Sequence, residues 1–152
     1  MALVEIFTDG ACSGNPGKGG YGTILRFGPH EKELSEGYRL TTNNRMELMA
    51  VIAGLEALNK EGLQVRITSD SEYVVNAVSK GWVFNWERKN FKDKANPDLW
   101  KRFLVSYRKQ HIEFRWIKGH NGHAENERCD KLAVAASQKA NLLVDAGFEN
   151  SK

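Results

Sequence analysis

The chain has 152 residues, 41% of them hydrophobic and 27% charged, which fits one soluble domain able to bury a core of its own. Its two cysteines, Cys12 and Cys129, lie far apart, excluding a dense disulfide framework and favouring reduced thiols in an intracellular protein. The formal charge of +3 is too small to argue by itself for a polyanionic partner. Neither a leader pattern nor an apolar run of about 18 residues is seen, so a soluble, cytoplasmic chain is expected.

Leu3 to Thr8 alternates towards Asp9 and reads as a strand. The following GACSGNPGKGG is too rich in glycine for helix or regular strand. Tyr21–Phe27 and Lys32–Leu40, joined by FGPHEK, read as an antiparallel hairpin. Apolar residues at Leu48, Ile52 and Leu55 recur at helical spacing between Asn44 and Asn59. Leu63–Thr68 is a fourth strand, and SDSEYVVNAV a helix capped by Asp70 or Ser71. After Gly81 comes an aromatic-basic helix, in which Lys80, Arg88, Lys89, Lys92 and Lys94 outweigh Glu87 and Asp93. Asn96-Pro97 starts a helix running to about Lys109, with Asn96 as its capping side chain. His111–Ile117 alternates as a fifth strand, Lys118–His123 is a loop, and Ala124–Ala140 a final helix. A hairpin followed by alternating strands and helices predicts a single mixed sheet with helices on both faces.

Four acids fall where packing explains them poorly. Asp9 interrupts a strand end, Glu47 lies in the first turn of a helix, Asp70 follows a strand, and Asp130 sits between Cys129 and the apolar Leu132, Ala133 and Ala136. Each of the first three has a plain alternative: a turn acid for Asp9, a capping-box partner of Asn44 for Glu47, a helix cap for Asp70. If the first and fourth strands are parallel neighbours, Asp9 and Asp70 emerge together. Carboxylates so close repel unless cations neutralise them, and hard oxygen ligands suit Mg²⁺ or Mn²⁺. A zinc site of His120, His123 and Cys129 is disfavoured by its spacing beside four usable acids.

FTDGACSGNPGKGGYG at 7–22, TTNNRMELMA at 41–50, TSDSEYV at 68–74, KGW and NW within 80–86, and WIKGHNGHAENERCDKLA at 116–133 together resemble bacterial-type ribonuclease H of the type 1 family. The resemblance runs to about residue 141. It implies an α/β fold of the ribonuclease H type, a five-stranded mixed sheet of order 3-2-1-4-5 with helices on both faces. Residues 1–141 would form the single domain and 142–152 a frayed tail. It implies that Asp9, Glu47, Asp70 and Asp130 are catalytic and hold two Mg²⁺ ions in the substrate complex, with Mn²⁺ a possible substitute. It also implies that His120 joins proton transfer or product release. The implied reaction is endonucleolytic hydrolysis of the RNA strand of an RNA–DNA hybrid, leaving 5′-phosphate and 3′-hydroxyl ends.

By the same resemblance, Cys12, Asn43, Glu47 and residue 72 lie along the RNA, recognised by its 2′-hydroxyls. Asn15, Thr42, Arg45 and Trp82 face the DNA strand, and Asn44 offers a further hydrogen bond. Trp86, Arg88, Lys89, Lys92 and Lys94 resemble the family's basic handle, which meets phosphates. Two residues depart from the family's usual pattern: Glu72 stands in place of a glutamine, which puts hybrid affinity in doubt, and Lys18 in place of a frequent proline. The main rival function is a non-catalytic hybrid-binding module; an integrase or junction resolvase on the same scaffold is another. A monomer with no obligate protein partner is expected.

Overall fold

The short alternation at the start of the chain sends Val4 and Ile6 into the main core and Phe7 into a second, smaller cluster with Ile24 and Cys129. That division defines the two faces of a sheet. In the computed structural model, which describes residues 3–119 and 122–151, the strands are β1 (Leu3–Ser13), β2 (Gly17–Phe27), β3 (His30–Thr41), β4 (Gln64–Ser69) and β5 (His111–Trp116). The helices are α1 (Asn43–Glu56), α2 (Glu72–Ser79), α3 (Trp82–Arg88), α4 (Pro97–Tyr107), α5 (Ala124–Ser137) and α6 (Ala146–Glu149). The sheet order is β3-β2-β1-β4-β5, with β1 antiparallel to β2 and parallel to β4, as the resemblance implied. Helix α1 covers one face and α5 the other.

The glycine-rich stretch departs from expectation. It is strand on both sides of a turn, with β1 and β2 paired as far as Ser13 and Lys18. Glycine is a poor strand former alone, but here it lets backbones approach. A Cβ on Gly22, Gly20 or Gly37 would collide with the carbonyl oxygens of Cys129, Ala133 and Ala136, all on α5. The glycines are therefore the seat of that helix.

Helix α1 buries Met46, Leu48, Met49, Ala50, Val51, Ile52 and Leu55 between the sheet and α4, as an apolar helix must. It ends at Glu56, and α5 at Ser137, each three residues before the expected end. Ser71 caps α2, its hydroxyl accepting from Val74 N at 3.2 Å. Asn96 makes no capping bond to α4. Its backbone is left-handed, at φ 62°, and its amide instead donates to the Tyr73 hydroxyl and accepts from Arg45. The aromatic-basic segment is helical only to Arg88, since Asn90, Phe91 and Asp93 also have positive φ.

The tail does not fray as expected. Leu143 bridges to Tyr38, Arg39 N donates to the Leu143 carbonyl at 2.9 Å, and α6 follows. The buried Asp145 carboxylate accepts from Thr41 Oγ1 at 2.7 Å and from Arg45 Nε at 2.7 Å. An internal cation needing a partner fastens the end of the chain.

Candidate active site

The β1–β4 ladder runs from Leu3 opposite Gln64 to Phe7 opposite Thr68, so the two strands present their following residues at one edge. Asp9 and Asp70 arrive there, at the carboxyl end where α/β sheets hold their sites. Glu47 comes from α1, which can lie against β1 only because Gly10 lacks a side chain: a Cβ there would stand 2.5 Å from Glu47 N. One carboxylate oxygen from each of Asp9, Glu47 and Asp70 lies within 4.8 Å of the other two. Asp130, delivered by α5, shares a hydrogen bond with Asp9. The four acids singled out in the sequence therefore converge.

Their surroundings make full ionisation costly. Asp9 is 3% exposed and Glu47 6%. Burial, then the charges of Asp70 and Asp130, push the Asp9 carboxyl up to about 8, against the pull of the Gly10 amide. Burial also raises Glu47 well above the ordinary carboxylate range, with Asp9 and Asp70 adding to it. Among the described residues Glu47 Oε1 has no hydrogen-bond partner although it is buried. A buried acceptor without a donor, inside a cluster of hard oxygens, fits a divalent cation of the Mg²⁺ or Mn²⁺ kind. Asp9, Glu47, Asp70 and Asp130 are the groups that could hold it.

Several side chains that bond the backbone around the carboxylates do not stand out in the sequence. Asn126 Nδ2 donates to the carbonyls of Thr8 at 3.2 Å and Thr68 at 3.1 Å. Cys129 donates its Sγ hydrogen to the Phe7 carbonyl at 3.2 Å, burial keeping the thiol protonated. Trp116 Nε1 donates to the Asp70 carbonyl at 3.3 Å. Only Asn126 had a readable signal, its position one helical turn before Asp130.

The expected nucleic-acid contacts divide. Asn15, Thr42, Asn44 and Lys94 line one surface cleft. Asn15 Oδ1 accepts from Asn43 N at 3.0 Å, and Thr42 Oγ1 caps α1 from Arg45 N at 3.2 Å. Each keeps donor hydrogens for a ligand, the Asn15 amide and the Thr42 hydroxyl. Cys12 Sγ lies 3.5 Å from the Thr41 carbonyl, between the turn and α1. Glu72, Trp82, Arg88, Lys89, Lys92 and Lys94 are exposed, while Trp86 packs edge-on to Trp100 at 5.9 Å with Lys94 over its ring.

Arg45 is not placed to meet DNA. Its side chain is 3% exposed, and its guanidinium donates to Asp145, Asp98 and Asn96. Those bonds occupy all its N–H donors. Burial alone would lower its pKa, but the hydrogen bonds to Asp98 and Asp145 outweigh that and raise it. His120 lies outside the described residues.

The family model described as RNase H matches residues 1–138. A ribonuclease H from Trichodesmium erythraeum (strain IMS101) is 56% identical over 151 residues, covering 96% of each chain. Among solved structures, LC9-RNase H1, a type 1 RNase H with the type 2 active-site motif, superposes with a TM-score of 0.80 at 30% identity over 99% of this chain and 80% of its own. LC11-RNase H1, solved in complex with an RNA/DNA hybrid, gives 0.66 at 25% identity over 90% of this chain and 98% of its own. The family match spans every strand of the sheet and all four clustered acids, and the chain belongs to the ribonuclease H family.

Proposed function

We propose that this chain is an endonuclease that hydrolyses the RNA strand of RNA–DNA hybrids with Mg²⁺ bound at Asp9, Glu47, Asp70 and Asp130. The observation carrying this reading is the convergence of three carboxylates within 4.8 Å around a buried, unpartnered Glu47 oxygen. Divalent ions held there supply an activated water and neutralise charge on the leaving oxygen. The chain's own part is to hold four carboxyl groups at fixed positions, any bound protons ready to be displaced by the ions, before substrate arrives. Water adds to phosphorus and the bond to the 3′-oxygen breaks. One product gains a 5′-phosphate, and the other keeps a 3′-hydroxyl after accepting a proton. On motif alone, His120 is assigned to that proton transfer or to product release.

Recognition is divided between two surfaces. Cys12, Asn43 and Glu72 border the carboxylates and face the RNA strand, where the 2′-hydroxyl distinguishes RNA from DNA. Asn15, Thr42 and Asn44, with Lys94, face a DNA-strand phosphate. Trp82, Arg88, Lys89 and Lys92 extend the contact, with Trp86 bracing the segment from within. Contacts of this kind carry affinity without base sequence, so cleavage is largely sequence-independent. No helix among the described residues is long and apolar enough to cross a membrane, and we read the protein as a cytoplasmic monomer.

A hybrid labelled separately on each strand tests the reading, with MgCl₂ and with EDTA, beside duplex DNA, duplex RNA and a four-way junction. Metal-dependent loss of the RNA strand alone is expected. An intact hybrid with folded protein in every divalent metal would favour a binding module, and cleavage of the junction or the DNA strand would point to another nuclease class.

A further inference from the structure

We infer that Asn126 is a positioning residue that fixes the spacing of the catalytic carboxylates and so sets the affinity of the site for its metal. The inference rests on the hydrolytic reading above. Mutual pairing of β1 and β4 stops at Phe7 and Thr68. Beyond that point β1 continues with β2 alone, as far as Ser13, and β4 ends at Ser69. The strands thus lose their ladder just before they present Asp9 and Asp70.

Asn126 closes the gap. Its single amide nitrogen donates to the Thr8 carbonyl at 3.2 Å and to the Thr68 carbonyl at 3.1 Å. A primary amide has two N–H donors, one for each carbonyl. Thr8 precedes Asp9 directly and Thr68 lies two residues before Asp70, while Asp130 is one turn further along the same face of α5. One side chain, 2% exposed, therefore ties together the three segments that carry three of the four acids.

Asparagine is specifically suited to this position. Aspartate has no donor and would set its charge against two carbonyl oxygens. Alanine would remove the amide donor from both carbonyls, leaving Thr68 only the longer 3.4 Å bond from Thr8 Oγ1, and serine could serve only one of them. Among the described residues Asn126 Oδ1 has no partner, so the two donated bonds are the polar contacts that hold the amide. Cys129, three residues on, provides a comparison. It pegs α5 to the Phe7 carbonyl at 3.2 Å, inside the region where the ladder is intact.

The test uses the full chain as wild type, Asn126→Ala, Asn126→Ser and Cys129→Ala. Mn²⁺ and Mg²⁺ binding is measured by calorimetry, hybrid affinity and melting in EDTA, and RNA-strand cleavage across a Mg²⁺ titration. Outer-shell partners of metal ligands are typically worth ~10–100-fold in metal affinity, and a loss in that range is expected for Asn126→Ala. A smaller loss is expected for Asn126→Ser, with hybrid affinity in EDTA unchanged in both. Cys129→Ala should melt lower but bind metal as the wild type does.

Wild-type metal affinity in the Asn126 variants would overturn the inference, as would a loss no larger than that of Cys129→Ala at equal melting temperature. Should Asn126→Ala not fold, Asn126→Ser decides by the same criteria. A wild type that binds metal yet cleaves no hybrid would sink the hydrolytic reading instead, a result separable from the metal affinities of the variants.

Discussion

A carboxyl group held at about 8 stays mostly protonated at neutral pH unless a cation displaces the proton. Asp9 is in that position. Its folded pKa lies above the ordinary 3.8, so the folded chain binds more protons than the unfolded one between those values. Stability falls as pH rises through that window. Without metal, melting should therefore be lower at pH 8 than at pH 5.5, and MgCl₂ should raise it more at pH 8. Calorimetry in EDTA and in Mg²⁺ checks this, and an equal response at both pH values would contradict it. Asp9→Asn should abolish cleavage while hybrid binding survives. The same variant should melt above the parent in EDTA at pH 8, about 2–4 °C for each kcal/mol of relieved repulsion. At this scale the sequence was readable where a residue type sat oddly in its pattern, as Asp130 does among apolar neighbours. It misled at Arg45, which the resemblance set towards the DNA strand. Nothing local reveals that Asp98 and Asp145, 53 and 100 residues away, take up its donors.

Between elements, the controlling feature is close approach of backbones. Helix α5 lies on Gly20, Gly22 and Gly37, and α1 on Gly10, and these contacts bring Asp130 and Glu47 to the strand that carries Asp9. Gly22→Ala would drive a Cβ into the Cys129 carbonyl, a rigid backbone atom. A stability loss of about 1–3 kcal/mol is expected, read from the urea midpoint, together with weaker Mg²⁺ activation because Asp130 shifts with its helix. An unchanged midpoint would show that α5 can move aside freely. The five strands and the β2–β3 hairpin were legible because hydrophobic alternation and the hairpin turn are local signals, while their order in the sheet came from the family resemblance. The extension of β1 and β2 through the glycines was not, because glycine propensity argues against strand, and only the opposing helix explains the choice. Helix ends were overextended for a similar reason: periodicity outlasts the turn that actually closes each helix.

For the whole molecule, Arg45 is the point where α1, the entry to α4 and the C-terminal segment meet. Removing one partner of a buried ion pair typically costs about 3–5 kcal/mol. Asp145→Asn keeps the shape and part of the hydrogen bonding, so a loss towards or below the lower end is expected in urea unfolding, with Mg²⁺ affinity unaffected. Stability equal to wild type would mean that Asp98 alone satisfies the guanidinium. The tail was expected to fray because it is short and lies beyond the recognisable motifs. Its place depends on a charge buried near the other end of the fold.

That dependence gives synthesis an order. Asp145 is made 100 residues after Arg45, an interval of about 5–20 s at ribosomal rates of roughly 5–20 residues per second. Until then the guanidinium has Asp98 at most to neutralise it, and α5, which brings Asp130, also emerges late. The nascent chain thus carries Asp9, Glu47 and Asp70 well before Asp130 can join them. A chain made in this order has no complete set of site acids until α5 has emerged and packed back onto strands made near the start.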